Sequence, residues 1–233
     1  RETVMTDAIA LPEHSGETLA RADISRLAGG SPQRLVDCDL EDADLSDLDL
    51  VGWQFERCNL RKTDFASARL TGALFKGCRG PFAAFPGANL AEARFAGGDY
   101  NNAAFRRATL TSTVFTGCKL TGADFSEARA MLVKFEEVLL VSAKLPGFSF
   151  RKEVLQRIDF SGADLRKCDF RGSTFEDCSL RDANVAGSNF EAADLRGADL
   201  GGLRLVDARL FRGASISPGQ AGLLLGELGL KVR

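Results

Sequence analysis

The chain has 233 residues, of which 45% are hydrophobic and 27% are charged, and its 30 basic and 32 acidic residues leave a net charge of −2. These values are typical of a globular protein and exclude a generic basic nucleic-acid binder. The apolar runs are only a few residues long, and no charged segment followed by an apolar one opens the chain, so we predict neither a membrane span nor a signal peptide. Cysteines without a CxxC pair favour reduced thiols and a cytoplasmic protein.

The N-terminal part is irregular. Residues 1–14 show no pattern, and we expect them to be a disordered segment or a remnant of a tag. Leu19 and Ile24 then begin a five-residue rhythm, and the segment 29–32 (GGSP) absorbs one additional residue before the rhythm changes phase. Residues 15–27 are therefore expected to form an imperfect first coil or a cap.

From Leu35 to Leu210 every fifth residue is a position that we call a centre. The 36 centres hold 18 leucines and 14 of the 17 phenylalanines, and only Gly80 and Ala130 are small. The residue two places before each centre is usually small, and all six cysteines lie there. Neither an α-helix nor a flat strand has a period of five. The backbone must therefore return a large and a small side chain to the interior every five residues.

Units such as Ala43-Asp44-Leu45 and Ala123-Asp124-Phe125 resemble the A(D/N)Lxx motif of the pentapeptide-repeat family, and the likeness extends over residues 33–212 without a register break. The resemblance implies an all-β, right-handed quadrilateral β-helix with one pentapeptide on each of four faces. We assign residues 15–215 to this β-helix, with about nine to ten coils. Centres stacked at the strand spacing of about 4.8 Å would fill its interior.

Two segments fit the repeat poorly. Arg79–Pro86 has Gly80 at a centre and contains two prolines, which indicates either a local bulge with a gap in one stack or a bend with a short projection. Residues 146–157 would bring a carboxylate to an inward position, where it would cost several kcal/mol if unpaired. A surface loop would preserve the five-residue phase, and a distorted coil is the alternative. The candidate partner-binding residues of this loop are Arg151, Lys152 and Glu153.

Residues 216–233 change character. Ser217, Pro218 and Gln220 are typical of a helix N-terminus, and Gly229 is placed to end the helix. A short C-terminal α-helix would cap the open edge of the β-helix, and its apolar face favours a homodimer contact over a monomeric cap. The last four residues could add an edge strand. The candidate dimerisation residues are Leu223, Leu224, Leu225 and Leu228.

The sequence offers little for catalysis or for ion binding. The one histidine, His14, has no nucleophile and acid beside it in the sequence and is expected to be a solvated side chain. Cys38, Cys58 and Cys78 recur every 20 residues, which predicts a line of thiols rather than the converging ligands of a zinc site. No phosphate-binding loop is present. We predict a non-enzymatic protein without a metal or cofactor.

The tail from Gln220 to Leu230 is similar to the C-terminal helix of the Qnr quinolone-resistance proteins, which pair through that helix. This resemblance, shared with the related MfpA type, implies binding to DNA gyrase or topoisomerase IV and protection of that enzyme from quinolones or other poisons, partly by mimicry of DNA. It implies no direct binding to nucleic acid or membrane. Because the net charge is only −2, mimicry requires segregated acidic residues. One run without Lys or Arg qualifies: Asp37, Asp39, Glu41, Asp42, Asp44, Asp47 and Asp49.

The alternative is a pentapeptide-repeat scaffold or effector that binds a different protein, because a fold does not fix a function.

Overall fold

The computed structural model describes residues 10–205 and 207–232. The backbone winds as a β-solenoid in which one turn takes 20 residues, so that Leu35 pairs with Phe55, and Phe55 with Phe75. Parallel bridges at the same interval join successive turns on three further faces, as between Asp44 and Asp64. We number the faces 1 to 4 from the centres Leu35, Leu40, Leu45 and Leu50. The prediction of an all-β, right-handed quadrilateral β-helix is confirmed.

Face 1 carries most of the extended strands. Strands β1 to β7 form one parallel sheet in chain order, β8 pairs with β9, and β10 pairs with β11. The strands are β1 Glu13–Ser15, β2 Arg34–Val36, β3 Gln54–Glu56, β4 Leu74–Lys76, β5 Arg94–Ala96, β6 Val114–Thr116, β7 Lys134–Glu136, β8 Val154–Gln156, β9 Thr174–Glu176, β10 Cys178–Ser179 and β11 Ala198–Asp199. The helices are α1 Arg21–Ala28, a short 3-10 helix Ala208–Phe211, and α2 Pro218–Glu227.

The corners of the coil explain why the positions around each centre are polar. The second residue after each centre from Leu35 to Phe190 turns with a positive φ, as Asp42 does at 56° and Gly52 at 71°, a conformation that Gly, Asn and Asp tolerate best. The Asp or Asn before a centre accepts a hydrogen bond from the backbone two residues on. Asp124, for example, accepts from the Ser126 amide at 3.0 Å. Such Asx turns fix the corner locally, so these carboxylates and amides have a structural role on faces 2 to 4, and on face 1 only at Asp194.

The interior consists of stacked columns. The rings of Phe65 and Phe85 stack with centroids 4.8 Å apart, and those of Phe85 and Phe105 follow at 4.9 Å. Neighbouring columns meet edge to face, the geometry that aromatic quadrupoles favour. The small inward residues pair with the backbone: the Cys78 thiol donates to the Phe55 carbonyl at 3.2 Å. All six cysteines are buried and free, and they serve here as small core residues.

Both ends differ from the expected coils. Strand β1 contains His14, which pairs with Leu35, so the expected disorder does not extend to residues 13 and 14, while residues 1–9 lie outside the described part of the chain. Helix α1 then replaces two faces of the first coil and buries Ile24 in the core. Residues 15–27 were expected to form either an imperfect first coil or a cap. They form a cap, which is largely helical.

The register also shifts by one residue near the C-terminal end, where the sequence predicted none. The Phe211 ring stacks on Phe190 at 4.8 Å, so the column continues through Phe211 rather than through the expected centre Leu210. The bridge from Asp194 to Ser215 likewise spans 21 residues. Helix α2 follows with the expected capping box of Ser217 and Gln220.

The Gln220 side-chain amide donates to two carbonyls of the preceding coil, Leu195 and Ala198, both at 2.7 Å. These bonds satisfy backbone groups that the last coil would otherwise leave unpaired. Residues 230–232 form no strand, in contrast to the expected edge strand, and Arg233 lies outside the described residues.

The two irregular segments are both regular in backbone, and neither projects. Around Gly80 the coil keeps its bridge from Arg79 to Asp99, so the proposed bend or projection is absent. The predicted loop at 146–157 is wrong: this segment follows the regular coil and includes strand β8. The poor fit of this segment to the five-residue repeat instead produces a gap between two turns of the coil.

This gap, which we call the slit, separates segment 128–135 from segment 148–155 on faces 4 and 1. Strands β7 and β8 are not paired, and the amides of Ser149 and Val154 make no backbone hydrogen bond to any described residue. The ladder resumes on either side, where the Phe125 amide donates to Lys144 at 2.9 Å and the Glu137 amide donates to Gln156 at 3.0 Å. The slit is therefore a local opening in a continuous rod.

Candidate interaction surfaces

The first surface is the acidic run of residues 37–49, which covers the first complete coil. Three of its seven carboxylates precede a centre and fix corners, as Asp44 does by accepting from the Ser46 amide at 3.0 Å. Arginines from neighbouring segments form ion pairs with four of the seven carboxylates. The ion pairs are Asp37 with Arg57, Glu41 with Arg61, Asp44 with Arg21, and Asp49 with Arg69. Asp39 accepts from the Asn59 side chain at 3.0 Å.

The pKa values follow these contacts. The hydrogen bond from Arg57 holds the pKa of Asp37 below its usual value, and hydrogen bonds from Ser46 do the same for Asp44. Asp42 and Asp47 are exposed and make no ion pair with a described residue. The run is thus a coil of paired charges with two free carboxylates at its turns, rather than an uninterrupted anionic strip.

The second surface is the apolar side of helix α2. Leu223 and Leu228 are 57% and 61% exposed, and Leu225 is 38% exposed. Leu224 is 6% exposed and packs into the same core as Leu203. Leu224 was predicted as a dimerisation residue, but it faces its own rod because the helix turns it about 100° from each neighbour. The exposed apolar area continues beyond the helix through Leu230 and Val232.

The third surface surrounds the slit. Arg151 and Lys152 are exposed at a turn, and Glu153 points toward the interior side but stays half-buried. The separation of the two turns lets the Glu153 carboxylate reach solvent, which avoids the cost of a buried unpaired charge. A groove of about 380 Å³ runs between β7 and β8, and its floor includes Val133 and Phe135.

Sequence reasoning missed the apolar rim of this groove. Met131 and Leu132 are each 67% exposed, and Val154 is 56% exposed. A signal was present, because Met131 and Leu132 occupy the two turn positions after a centre, which are mostly polar or glycine elsewhere in the repeat. Exposed Arg129 lies on the same face.

Other kinds of site find no support in the part of the chain that the structure describes. Within residues 10–205 and 207–232, no group of three or more His, Cys, Asp or Glu side chains is arranged to hold a metal ion. Over the same residues, none of the helices has the length and apolar character needed to cross a membrane.

Comparison with known sequences identifies the repeat directly. A model of a pentapeptide repeat region matches residues 48–125, a model of eight pentapeptide repeats matches 134–172, and a model of nine matches 155–199. Together these matches cover more than half of the chain. No curated protein sequence matches it.

Solved structures share the fold. HetL, a pentapeptide repeat protein involved in heterocyst differentiation regulation in the cyanobacterium Nostoc, is 24% identical and has a TM-score of 0.65 over 80% of this chain and 86% of its own. A trypsin-treated form of QnrB1, a plasmid-mediated fluoroquinolone resistance protein, is 23% identical and has a TM-score of 0.60 over 96% of this chain and 98% of its own. Identities at this level establish the architecture and leave the function to be argued.

Proposed function

Because this chain belongs to the pentapeptide-repeat family, we propose that it is a non-enzymatic binding scaffold whose partner is a bacterial type II topoisomerase, DNA gyrase or topoisomerase IV. Binding would take place in the cytoplasm and would protect the enzyme from quinolones or other poisons. The observation that carries the proposal is the end-to-end similarity to QnrB1, which covers 96% of this chain. A rod of the same shape fits the same kind of cleft in a partner protein, and for this reason the similarity supports a shared mode of binding.

Mimicry of DNA would be partial. About nine turns at the strand spacing give a rod of roughly 43 Å, over which duplex DNA would carry about 25 phosphate charges. The acidic coil cannot match this density because arginines neutralise four of its carboxylates. Asp42 and Asp47 are its free charges and are the acidic residues we propose to touch the partner. Arg151, Lys152 and Glu153 remain a second candidate contact, on a regular face of the rod.

A homodimer through helix α2 would complete the proposed assembly. Leu223, Leu225 and Leu228 expose apolar surface at the end of the rod, and a second copy would remove that surface from water. We expect Leu228→Asp to convert the dimer to a monomer in sedimentation velocity, with the far-UV circular dichroism unchanged. A wild-type protein that is already monomeric at micromolar concentration would contradict the proposed dimer.

The topoisomerase proposal can be tested with purified gyrase, a fluoroquinolone and a supercoiling assay. We expect the wild-type protein to bind gyrase and to restore supercoiling, and the double variant Asp42→Lys/Asp47→Lys to need at least about tenfold more protein, which corresponds to 1.4 kcal/mol. Asp182→Lys is the matched control because Asp182 is an exposed turn residue at the position equivalent to Asp42 on the same face. Equal protection by all three proteins would show that the acidic run does not contact gyrase.

The alternative is a scaffold for a different protein partner. It is favoured by the arginine pairing of the acidic run, which leaves little resemblance to a nucleic-acid charge pattern. The similarity to HetL, a regulatory pentapeptide-repeat protein, shows that the same architecture occurs in other settings. Absence of both gyrase binding and any effect on supercoiling would decide for this alternative.

A further inference from the structure

The slit exposes backbone groups that the rest of the rod uses internally. On its upper edge the Ser149 and Val154 amides make no backbone hydrogen bond to a described residue, and on its lower edge the same holds for the Ala130 and Leu132 amides. At the equivalent places one turn earlier, the Leu110 amide donates to the Arg129 carbonyl at 2.8 Å. Open strand edges of this kind favour pairing with a further extended segment.

The rim of the slit is apolar. Met131, Leu132 and Val154 each expose more than half of their surface, although the repeat elsewhere places mostly polar side chains outward, with Phe82 as an exception. Below them, Val133 and Phe135 are 5% and 6% exposed, whereas most Phe centres of the regular coils are fully buried. A bound side chain of aliphatic character would therefore find both a floor and a rim of the same chemistry.

Charge around the slit is unbalanced. Four exposed cations have no ion pair with a described residue: Arg129, Lys134, Arg151 and Lys152. Two carboxylates lie among them. Glu136 is 3.8 Å from Arg157, and Glu153 is half-buried. Asp169, the carboxylate that Arg151 influences, already accepts two hydrogen bonds from Arg171. The unpaired cations thus outnumber the carboxylates, which favours an anionic ligand.

From these three features we infer that the slit binds an extended acidic peptide segment of a partner protein by strand addition. The backbone of the segment pairs with the open edge of β8 at Val154. Because side chains alternate along a strand, one row, of aliphatic residues, packs on Val133 and Phe135, which form the floor of the groove. The other row carries carboxylates that reach the cations at the rim. This inference does not depend on the identity of the topoisomerase partner.

The experiment uses a fluorescein-labelled peptide of alternating glutamate and valine, titrated with the full chain and followed by fluorescence anisotropy. We expect saturable binding, and at least about tenfold weaker binding by Lys152→Glu. Lys62→Glu is the matched control, since Lys62 is an exposed lysine that also lies two residues after a centre and has a similar positive φ, on a regular coil. In the complex, hydrogen exchange at the Val154 amide should slow at least tenfold.

Three comparison ligands separate the possible modes of binding. A lysine–valine peptide should not bind, and a glutamate–valine peptide with a central proline should bind much more weakly because it lacks an amide needed for pairing. The inference is overturned if the acidic peptide fails to bind, if the two lysine variants behave alike, or if the Val154 amide stays unprotected. Equal affinity for a single-stranded oligonucleotide would also overturn it, because the site would then recognise charge alone.

Discussion

Gly80 and Ala130 occupy the same kind of position, a centre that should hold a large apolar residue, yet the rod responds to them in opposite ways. At Gly80 the turns stay together, and the Gly80 amide donates to the Asp99 carbonyl at 2.7 Å. At Ala130 the turns separate into the slit. The two sites show that the backbone responds less to the volume missing at a centre than to the direction from which a neighbouring side chain fills that volume.

At Gly80 the replacement comes from the same column. Tyr100 is the next centre on that face, and its ring leans so far over Gly80 that an added Cβ would lie 3.1 Å from the tyrosine Cδ1. Gly98, the small inward residue of that turn, leaves the space that the ring needs. A Cβ there would lie 2.5 Å from the Cys78 carbonyl oxygen and 3.1 Å from the Tyr100 ring. Two glycines and one tyrosine therefore fill the layer without moving the backbone.

At Ala130 the replacement comes from the inward position of the next turn, which is normally small. Phe148 lies there, buried, with its ring centroid 6.0 Å from Phe125 and 6.3 Å from Phe135, the two centres on either side of Ala130. A ring in this position stands where the two turns would otherwise approach each other. Overpacking of a tight interior is relieved by movement of the backbone, and here the turns part.

Removal of the Tyr100 ring should give the largest effect. We expect Tyr100→Ala to lower the free energy of unfolding by about 4 kcal/mol, because it leaves a cavity beside a glycine that cannot fill it. Tyr100→Phe is the control. Its lost hydroxyl is buried and has no hydrogen-bonding partner among the described residues, so the change should stay below about 1 kcal/mol. Urea unfolding followed by circular dichroism measures both, and a mild effect of Tyr100→Ala would show that the Gly80 layer is not held by this ring.

A double-mutant cycle tests the exchange of volume at the slit. Phe148→Ala alone should cost about 3 kcal/mol and Ala130→Leu alone about 1–2 kcal/mol, through a cavity and through overpacking respectively. Together they restore the repeat, and we expect the double variant to be less destabilised than the sum by about 2 kcal/mol. Slower hydrogen exchange at the Val154 amide in the double variant would show that the turns have closed. Strict additivity would mean that the two residues do not share one space.

The regular part of the rod was predicted well, because the period of five required inward side chains at fixed intervals and the resemblance to the pentapeptide-repeat family implied a square coil. Centres and small inward residues alternate in the chain, and a square coil is the geometry that buries both. The exchanges at Gly80 and Ala130 are contacts between residues about 20 positions apart, such as Phe148 with Phe125. A small residue at a centre does not reveal whether a neighbouring ring fills the space or pushes two turns apart. A loop was therefore an equally good interpretation of residues 146–157.

The ends were less predictable for a different reason. Helix α1 begins after Ala20, which lacks the polar side chain of a usual N-cap, and Leu19 and Ile24 happen to keep a spacing of five. Helix α2 has a strong N-terminal signal in Ser217 and Gln220 and was predicted correctly. Which of its leucines faces the rod depends on the docking angle, and for that reason Leu224 was misassigned.

Lowering the pH should have almost no effect on the packing at Gly80 or at Ala130, because neither layer depends on a charged side chain. Ion pairs at the surface respond instead. The hydrogen bond from Arg196 lowers the pKa of Asp194 to about 2, against about 3.9 in an unfolded chain. The folded carboxyl has the lower pKa, so its contribution to stability is present above about pH 4 and is lost as the pH falls toward 2.

We therefore expect Asp194→Asn to lower the free energy of unfolding at pH 7 by less than about 1 kcal/mol, since the Asp194 and Arg196 side chains are 30% and 64% exposed. The difference from the wild type should shrink as the pH falls from 4 to 2, whereas the deficit of Tyr100→Ala should persist over that range. Urea midpoints of the three proteins at pH 7, 4 and 2.5 measure this. If the tyrosine variant recovered in acid, the Gly80 layer would depend on charge, and the packing explanation of the two sites would be wrong.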